Sequence, residues 1–262
     1  MSAVHLFANR SFSLLAMLAC AAPLAAADFQ VTSEIFVGRE AAEPAARNAT
    51  SFRGQIVYDF STDSGSITIF NTETGRFILL DTRRRLRTEL STRDLLAYAQ
   101  WVRGESKNSD DPLLQFCAAP DFRVEPGEGD VAWKFGSNIL TYRVKPDSDT
   151  DEEAAAKYRE FCDWFARLNA MTNPGSLPPF ARMEVNAHLE QNGALPKSIY
   201  LNVAPHPRFG NREFYVRSEH TFRRGLTASD LAEIEKAERY LVTFKQVTLE
   251  NYREPVVTDG EQ

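Results

Sequence analysis

Apolar and polar residues alternate through much of this chain, and the places where the alternation gives way to a longer period mark its helices. The alternation is clearest from Phe52 to Phe60, where Phe52, Gly54, Ile56, Tyr58 and Phe60 interleave with Arg53, Gln55, Val57 and Asp59. A period of two is that of a strand with its faces in different surroundings. Thr62-Asp63-Ser64-Gly65 leads to a second run, Ser66–Asn71, and Thr72-Glu73-Thr74-Gly75 leads to a third, Arg76–Asp81. Runs joined by short Gly-containing loops predict an antiparallel meander. An opening run carries Phe29, Val31, Ser33, Ile35 and Val37 on one side, and residues 38–49 form a loop or a helical turn. Val131–Phe135 and Ile139–Val144 read as a hairpin around Gly136-Ser137-Asn138. Further alternation from Ala181 to Glu190, at Ile199, Leu201 and Val203, and from Phe214 to Phe222 predicts three more strands.

Three segments carry helical signals. Ser91 and Asp94 form a capping box, with Leu90 and Leu95 as its hydrophobic staple, and Leu95, Ala99 and Val102 share one face. Residues 104–130 are rich in Gly, Asp, Ser and Pro and read mainly as loop. The longest helix spans 151–172, capped by Thr150 with Glu153 and ended by Asn173-Pro174-Gly175. Its stripe Tyr158, Phe161, Phe165 and Leu168 suits either a core or the wall of an apolar cavity. Thr227 and Asp230 cap a last helix that runs to about Tyr240, after which Leu241–Tyr252 either extends it or forms a final strand, with Val242, Phe244 and Val247-Thr248-Leu249 leaning toward strand. Strands and helices in this order predict one α+β domain over 28–255, followed by a flexible tail, 256–262.

Residues 1–27 have the features of an export signal. Arg10 is their only charged residue, an apolar run follows from Phe12 to Pro23, and Ala25-Ala26-Ala27 precedes Asp28. The run is little more than half the roughly 20 residues a membrane-spanning helix needs, so no transmembrane segment is expected in the mature chain. The mature protein is expected to be periplasmic or secreted. Met17-Leu18-Ala19-Cys20 resembles a lipobox with Met where Leu is usual, so lipid anchoring through Cys20 is a second, less favoured outcome. Export changes the reading of the other cysteines. Cys117 and Cys162 are an even pair in an oxidising compartment, and a disulfide between them is expected.

Charge and motif content narrow the chemistry. The net charge of −6 becomes −7 when Arg10 is removed, a poor match to nucleic acid. Arg83-Arg84-Arg85-Leu86-Arg87 is the one dense basic cluster, either a solvated turn or a contact for anionic groups. His188, His206 and His220 stand without metal-ligand spacing, His188 on the polar side of its expected strand. No GxSxG, Walker or GxGxxG motif is present. Asp147-Ser148-Asp149-Thr150-Asp151 begins like a calcium loop, but Glu152 and Tyr158 stand where that loop needs Gly and Glu. No catalytic residue, metal or cofactor is therefore expected. Asn48-Ala49-Thr50 fits the N-glycosylation pattern.

Phe52–Phe60, Ser66–Asn71 and Gly75–Asp81 together resemble the first hairpins of the periplasmic lipoprotein carriers of the LolA, LolB and RseB kind. In that superfamily a strand with a Gly-x-hydrophobic-hydrophobic pattern precedes one with Arg-aromatic-hydrophobic. The resemblance extends through element order over about 30–250, although the family's P-G-R-x-R stretch is absent and helix 151–172 looks like an insertion. It implies a strongly curved, half-barrel-like antiparallel sheet, with helices packed on or inside its concave face. It also implies a cavity that holds an apolar chain without covalent chemistry. The candidate lining is Ile56, Tyr58, Phe60, Ile67, Ile69, Phe77 and Leu79, each of which serves equally well as core. The expected function is that of an exported, non-catalytic binding protein for a lipid, acyl chain or acylated protein. The alternatives are an exported structural or protein-interaction domain with a filled core, its partner surface at Arg83–Arg87, and a hydrolase with an unrecognised site.

Overall fold

One longer loop, 38–45, and four tight turns fold the first part of the chain back on itself five times. The computed structural model describes residues 28–148 and 152–254. Strands β1 (Phe29–Val37), β2 (Ala46–Arg53), β3 (Ile56–Ser61), β4 (Ser66–Asn71), β5 (Arg76–Asp81) and β6 (Leu86–Ser91) each pair antiparallel with the next. The turn before β5 needs Gly75, whose φ of +62° belongs to the left-handed region and whose added Cβ would lie 2.5 Å from Thr92 Oγ1. The later strands are β7 (Arg123–Pro126), β8 (Trp133–Gly136), β9 (Leu140–Pro146), β10 (Pro196–His206), β11 (Arg212–Arg224) and β12 (Lys245–Gln246). They extend the sheet from the other side of β1, giving the order β12-β6-β5-β4-β3-β2-β1-β11-β10-β9-β8-β7. Every pairing is antiparallel except the two-residue parallel contact of β12 with β6, and the sheet does not close.

Six helices complete the described residues: α1 (Thr92–Lys107), α2 (Pro112–Ala118), α3 (Glu152–Thr172), α4 (Phe180–Gln191), α5 (Ala228–Thr243) and α6 (Leu249–Arg253). The capping boxes at Ser91–Asp94 and Thr227–Asp230 are both formed. The Thr150 cap, the calcium-like run beyond Ser148, residues 1–27 and the tail from 256 lie outside the described residues. Residues 46–49, expected in a loop or helical turn, begin β2, and the alternating run Phe52–Phe60 is split between β2 and β3 by a turn at Gly54-Gln55. Three further expectations are corrected. Ala181–Glu190 is helix α4, not a strand. Its alternation is incidental, and the residues it buries are Phe180, Ala181, Val185, Asn186 and Leu189, a period of nearly four. Pro112–Ala118 is a short helix inside the stretch read as loop, started by Asp111, whose carboxylate accepts from the Leu113 and Leu114 amides, and by Pro112 in its first turn. Leu241–Tyr252 is mostly not strand, because α5 continues to Thr243, β12 holds only two residues, and α6 follows.

Register assigns the helices to faces. Phe29, Val31, Phe52, Val57, Phe70, Phe77, Leu79 and Leu90 point to one side and pack with Leu95 of α1 and with Tyr158, Phe161 and Leu168 of α3. The same side continues through β10, β9 and β8, where Ile199, Val203, Leu140, Tyr142, Val144 and Phe135 pack with Leu113 of α2 and with Ala181, Val185 and Leu189 of α4. On the other side Tyr58, Ile67, Ile69 and Leu80 pack under Ile234 and Ala237 of α5. Helices α1 to α4 thus share one face of the sheet, and α5 covers β3–β5 from behind.

Candidate functional site

Two neighbouring rows cross the α3 face, and their chemistry differs. The first, Phe29-Phe52-Val57-Phe70-Phe77-Leu90, is wholly apolar, with rings stacked at 4.1 Å for Phe29–Phe52 and for Phe70–Phe77. One step along the strands lies Val31-Thr50-Asp59-Thr68-Leu79-Thr88, polar at four positions of six. Beyond it lie His220, Ser33, Asn48 and Ser61. The face therefore changes from dry to polar along the strand direction, a gradient that only the pairing register reveals.

The polar row carries a buried carboxylate. Asp59 accepts hydrogen bonds from Thr50 Oγ1 at 2.7 Å and Asn48 Nδ2 at 2.8 Å. Loss of hydration nevertheless pushes its pKa up to about 6. Both polar residues of the glycosylation pattern are thus turned onto Asp59, with Thr50 buried and Asn48 half-buried. Next to them His220 Nδ1 lies 2.9 Å from Ser33 Oγ, and His220 Nε2 lies 2.9 Å from Ser218 Oγ. Burial, aided by the Arg182 charge, pulls His220 down to about 3, so the ring is neutral at pH 7. A nucleophile–base couple is oriented by a third group, normally a carboxylate. Here that place is held by the Ser218 hydroxyl. On α4, Asn186 donates to Asp163 Oδ1 of α3 and accepts from Arg182 Nε, both at 2.9 Å, tying the two helices together.

Where the polar row meets α3 and α6 there is a cavity of about 480 Å³. Ser66, Thr68 and Leu79 form the sheet wall. Phe165, Leu168, Asn169 and Thr172 form the α3 wall, Asn173 extends it by one residue, and Tyr252 and Arg253 close the α6 side. The α6 wall is held in place by the basic turn. Arg84 pairs with Asp81, donates to the Glu254 carbonyl at 2.7 Å and to the Tyr252 carbonyl, and lies 5.5 Å from the Tyr252 ring centre. Arg83 reaches the Asp63 carbonyl, and Arg87 reaches Glu89 and Gln246. Lys245 and Val247 donate their amides to the Arg85 and Arg87 carbonyls. Three arginines of the cluster read as a possible partner surface thus make internal contacts, several of which hold the C-terminal segment.

The structure divides the seven candidate lining residues between the faces. Ile56, Tyr58, Phe60, Ile67 and Ile69 belong to the cluster under α5, where Tyr58 donates to Glu238 at 2.9 Å. Phe77 belongs to the apolar row on the α3 face, fully buried, and Leu79 lines the cavity. Phe165 and Leu168 of the α3 stripe line it too. The polar lining and the α6 wall carry no motif, and only the fold brings them together.

The expected disulfide is corrected: Cys117 and Cys162 are both free thiols. Cys117 is packed among the α2, α4 and β8–β10 side chains, whereas Cys162 of α3 packs against the other cluster. Burial pushes Cys117 up to about 12 and Cys162 up to about 11, so both are poor nucleophiles at neutral pH. His188, carried by a helix instead of a strand, meets Trp133 and Phe135 edge-on with ring centres 5.0 and 5.2 Å away. Among the described residues no group of three or more His, Cys, Asp or Glu side chains could hold a metal ion, and no helix is long and apolar enough to cross a membrane. The chain matches no protein-family model, and no curated protein matches it significantly.

Proposed function

We propose that this protein is an exported, non-catalytic binding module that holds a lipid or acyl chain non-covalently between its sheet and helices α3 and α6. The observation that carries the reading is the cavity of about 480 Å³ on the α3 face. Small-molecule sites occupy roughly 300–1,000 Å³. Leu79, Phe165, Leu168 and Tyr252 supply apolar surface to it. Each methylene of a chain buried there contributes about 0.8 kcal/mol. The resemblance to the lipoprotein carriers adds to the reading a sheet that curves as a half-barrel around its helices. On this reading α3 and α4 lie in the hollow, while the residues under α5 are plain core.

Thr68→Trp tests the reading. Thr68 lies on the cavity wall and is only half-buried, so an indole there fills the void without overpacking the apolar row. Tryptophan is also well accommodated in strands. Binding of a fluorescent fatty-acid probe is expected to weaken at least tenfold while thermal stability is kept. Unchanged probe binding by a folded Thr68→Trp variant overturns the assignment of the cavity.

One observation favours the interaction-domain reading. Trp101 on α1 is 58% exposed, and its ring centre lies 5.4 Å from that of Tyr98. Exposed apolar groups of this kind mark protein-contact surfaces when they are contiguous. A specific partner lost on Trp101→Ser, together with no acyl-chain binding by the parent, would favour it.

A further inference from the structure

The cavity's lining also points to the head of the molecule it takes, an inference that rests on the binding reading above. Phe165, Leu168, Asn169, Thr172 and Asn173 have the i, i+3, i+4, i+7, i+8 spacing of one helical stripe. At 1.5 Å per residue the stripe is about 12 Å long. Its chemistry changes on the way, from a ring and an isobutyl group to two carboxamides and a hydroxyl. Among the described residues the lining contains a single charged one, Arg253, which is exposed at the α6 side. Among the described residues no carboxylate lines the cavity; the nearby Asp81, register partner of Ser66, is held by Arg84, and Asp59, register partner of Thr68, is held by Thr50 and Asn48.

We infer that the cavity selects a single-chain amphiphile with an anionic head, its tail along Phe165 and Leu168 and its head between Asn173 and Arg253. The opposing field is that of the α3 C-terminus, equivalent to about half a negative charge and confined to the last turn. Two carbonyls of that turn already accept hydrogen bonds, Leu168 from Thr172 Oγ1 at 2.9 Å and Asn169 from the Asn173 amide at 2.8 Å. The full charge of Arg253 outweighs what remains. The Thr172 hydroxyl is spent on the Leu168 carbonyl and one Asn173 side-chain N–H on Asn169 Oδ1 at 2.7 Å, so the further donors a carboxylate or phosphate oxygen accepts are the Asn169 Nδ2 hydrogens and the second hydrogen of Asn173 Nδ2.

Calorimetric titration of the full mature chain with dodecanoate and with dodecanol, whose tails match and whose heads differ, tests this. The wild type is expected to bind dodecanoate about three- to fivefold more tightly, the scale of an exposed ion pair. Added salt is expected to erode the difference. Arg253→Gln should bring the two affinities together by weakening dodecanoate more than dodecanol. Equal affinities in the wild type, or a preference that survives in Arg253→Gln, overturn the anionic-head inference and leave the binding reading standing. Failure of both compounds to bind overturns the binding reading and this inference with it.

Discussion

Replacing Asp59 by Asn isolates the cost of holding a carboxylate beneath the helices. The side chain is 5% exposed, and burial moves its pKa from an ordinary 3.8 to about 6 in the folded protein, the Thr50 and Asn48 hydrogen bonds already included. At about 1.4 kcal/mol per pH unit, the fold prefers the neutral acid over the carboxylate by about 3 kcal/mol. The folded state therefore binds this proton more tightly than the unfolded chain. Its contribution is fully present below about pH 3.8 and is lost as pH rises through about 6. Asparagine is neutral throughout and keeps one oxygen for the Asn48 amide, while the Thr50 hydroxyl can rotate to accept from the new NH₂. Urea denaturation of wild type and Asp59→Asn is the assay. Between about pH 4 and pH 8 the stability of the variant relative to wild type is expected to rise by about 2 kcal/mol. An equal offset at both pH values, or a variant that loses ground as pH rises, would refute the reasoning.

Three further outcomes are expected. Mass analysis of the denatured, alkylated protein should show both Cys117 and Cys162 modified without prior reduction, and the native protein should resist the same reagent because burial holds both thiols high. Phe77→Ala, which removes a ring fully buried and stacked on Phe70, should destabilise by about 3–5 kcal/mol in urea denaturation. Phe60→Ala, at a half-buried position on the other face, should cost clearly less. Arg84→Ala removes two donors from the Tyr252 and Glu254 carbonyls, so amide exchange at Val247 and Tyr252 should accelerate, with global stability falling by about 1–3 kcal/mol. Exchange confined to wild-type rates there would show that β12 and the packing of Leu249 suffice to hold the segment.

Local signals announced the local elements. Gly65 and Gly75 mark turns, Ser91 and Thr227 start helices where their boxes predict, and Tyr158, Phe161 and Leu168 of the α3 stripe are buried while Phe165 is half-buried on the cavity wall. Helix α4 escaped because Ala181, Met183, Val185, Ala187 and Leu189 satisfy a period of two, while Ala181, Val185 and Leu189 alone satisfy the helical one. Two prolines just before Phe180 were the available sign of a helix start. The candidate lining was divided because odd and even positions exchange faces from strand to strand. Tyr58 pairs with Ile69 and Ile69 with Ile78, which leaves Phe77 and Leu79 on the opposite side. Asp59, Thr68 and Arg84 gained their roles from residues distant in sequence. No local pattern signals a carboxylate that meets Asn48 across a strand pair or an arginine that meets the Tyr252 carbonyl. Cysteine parity misled for the same reason, since pairing requires proximity and the fold puts the two thiols in separate clusters.

The most direct test of the central claim is native mass spectrometry, with organic extraction, of the protein purified without detergent. A co-purifying acyl-chain compound that is absent from the Thr68→Trp variant is the expected result. A bare polypeptide mass, combined with no uptake of dodecanoate, would contradict the claim.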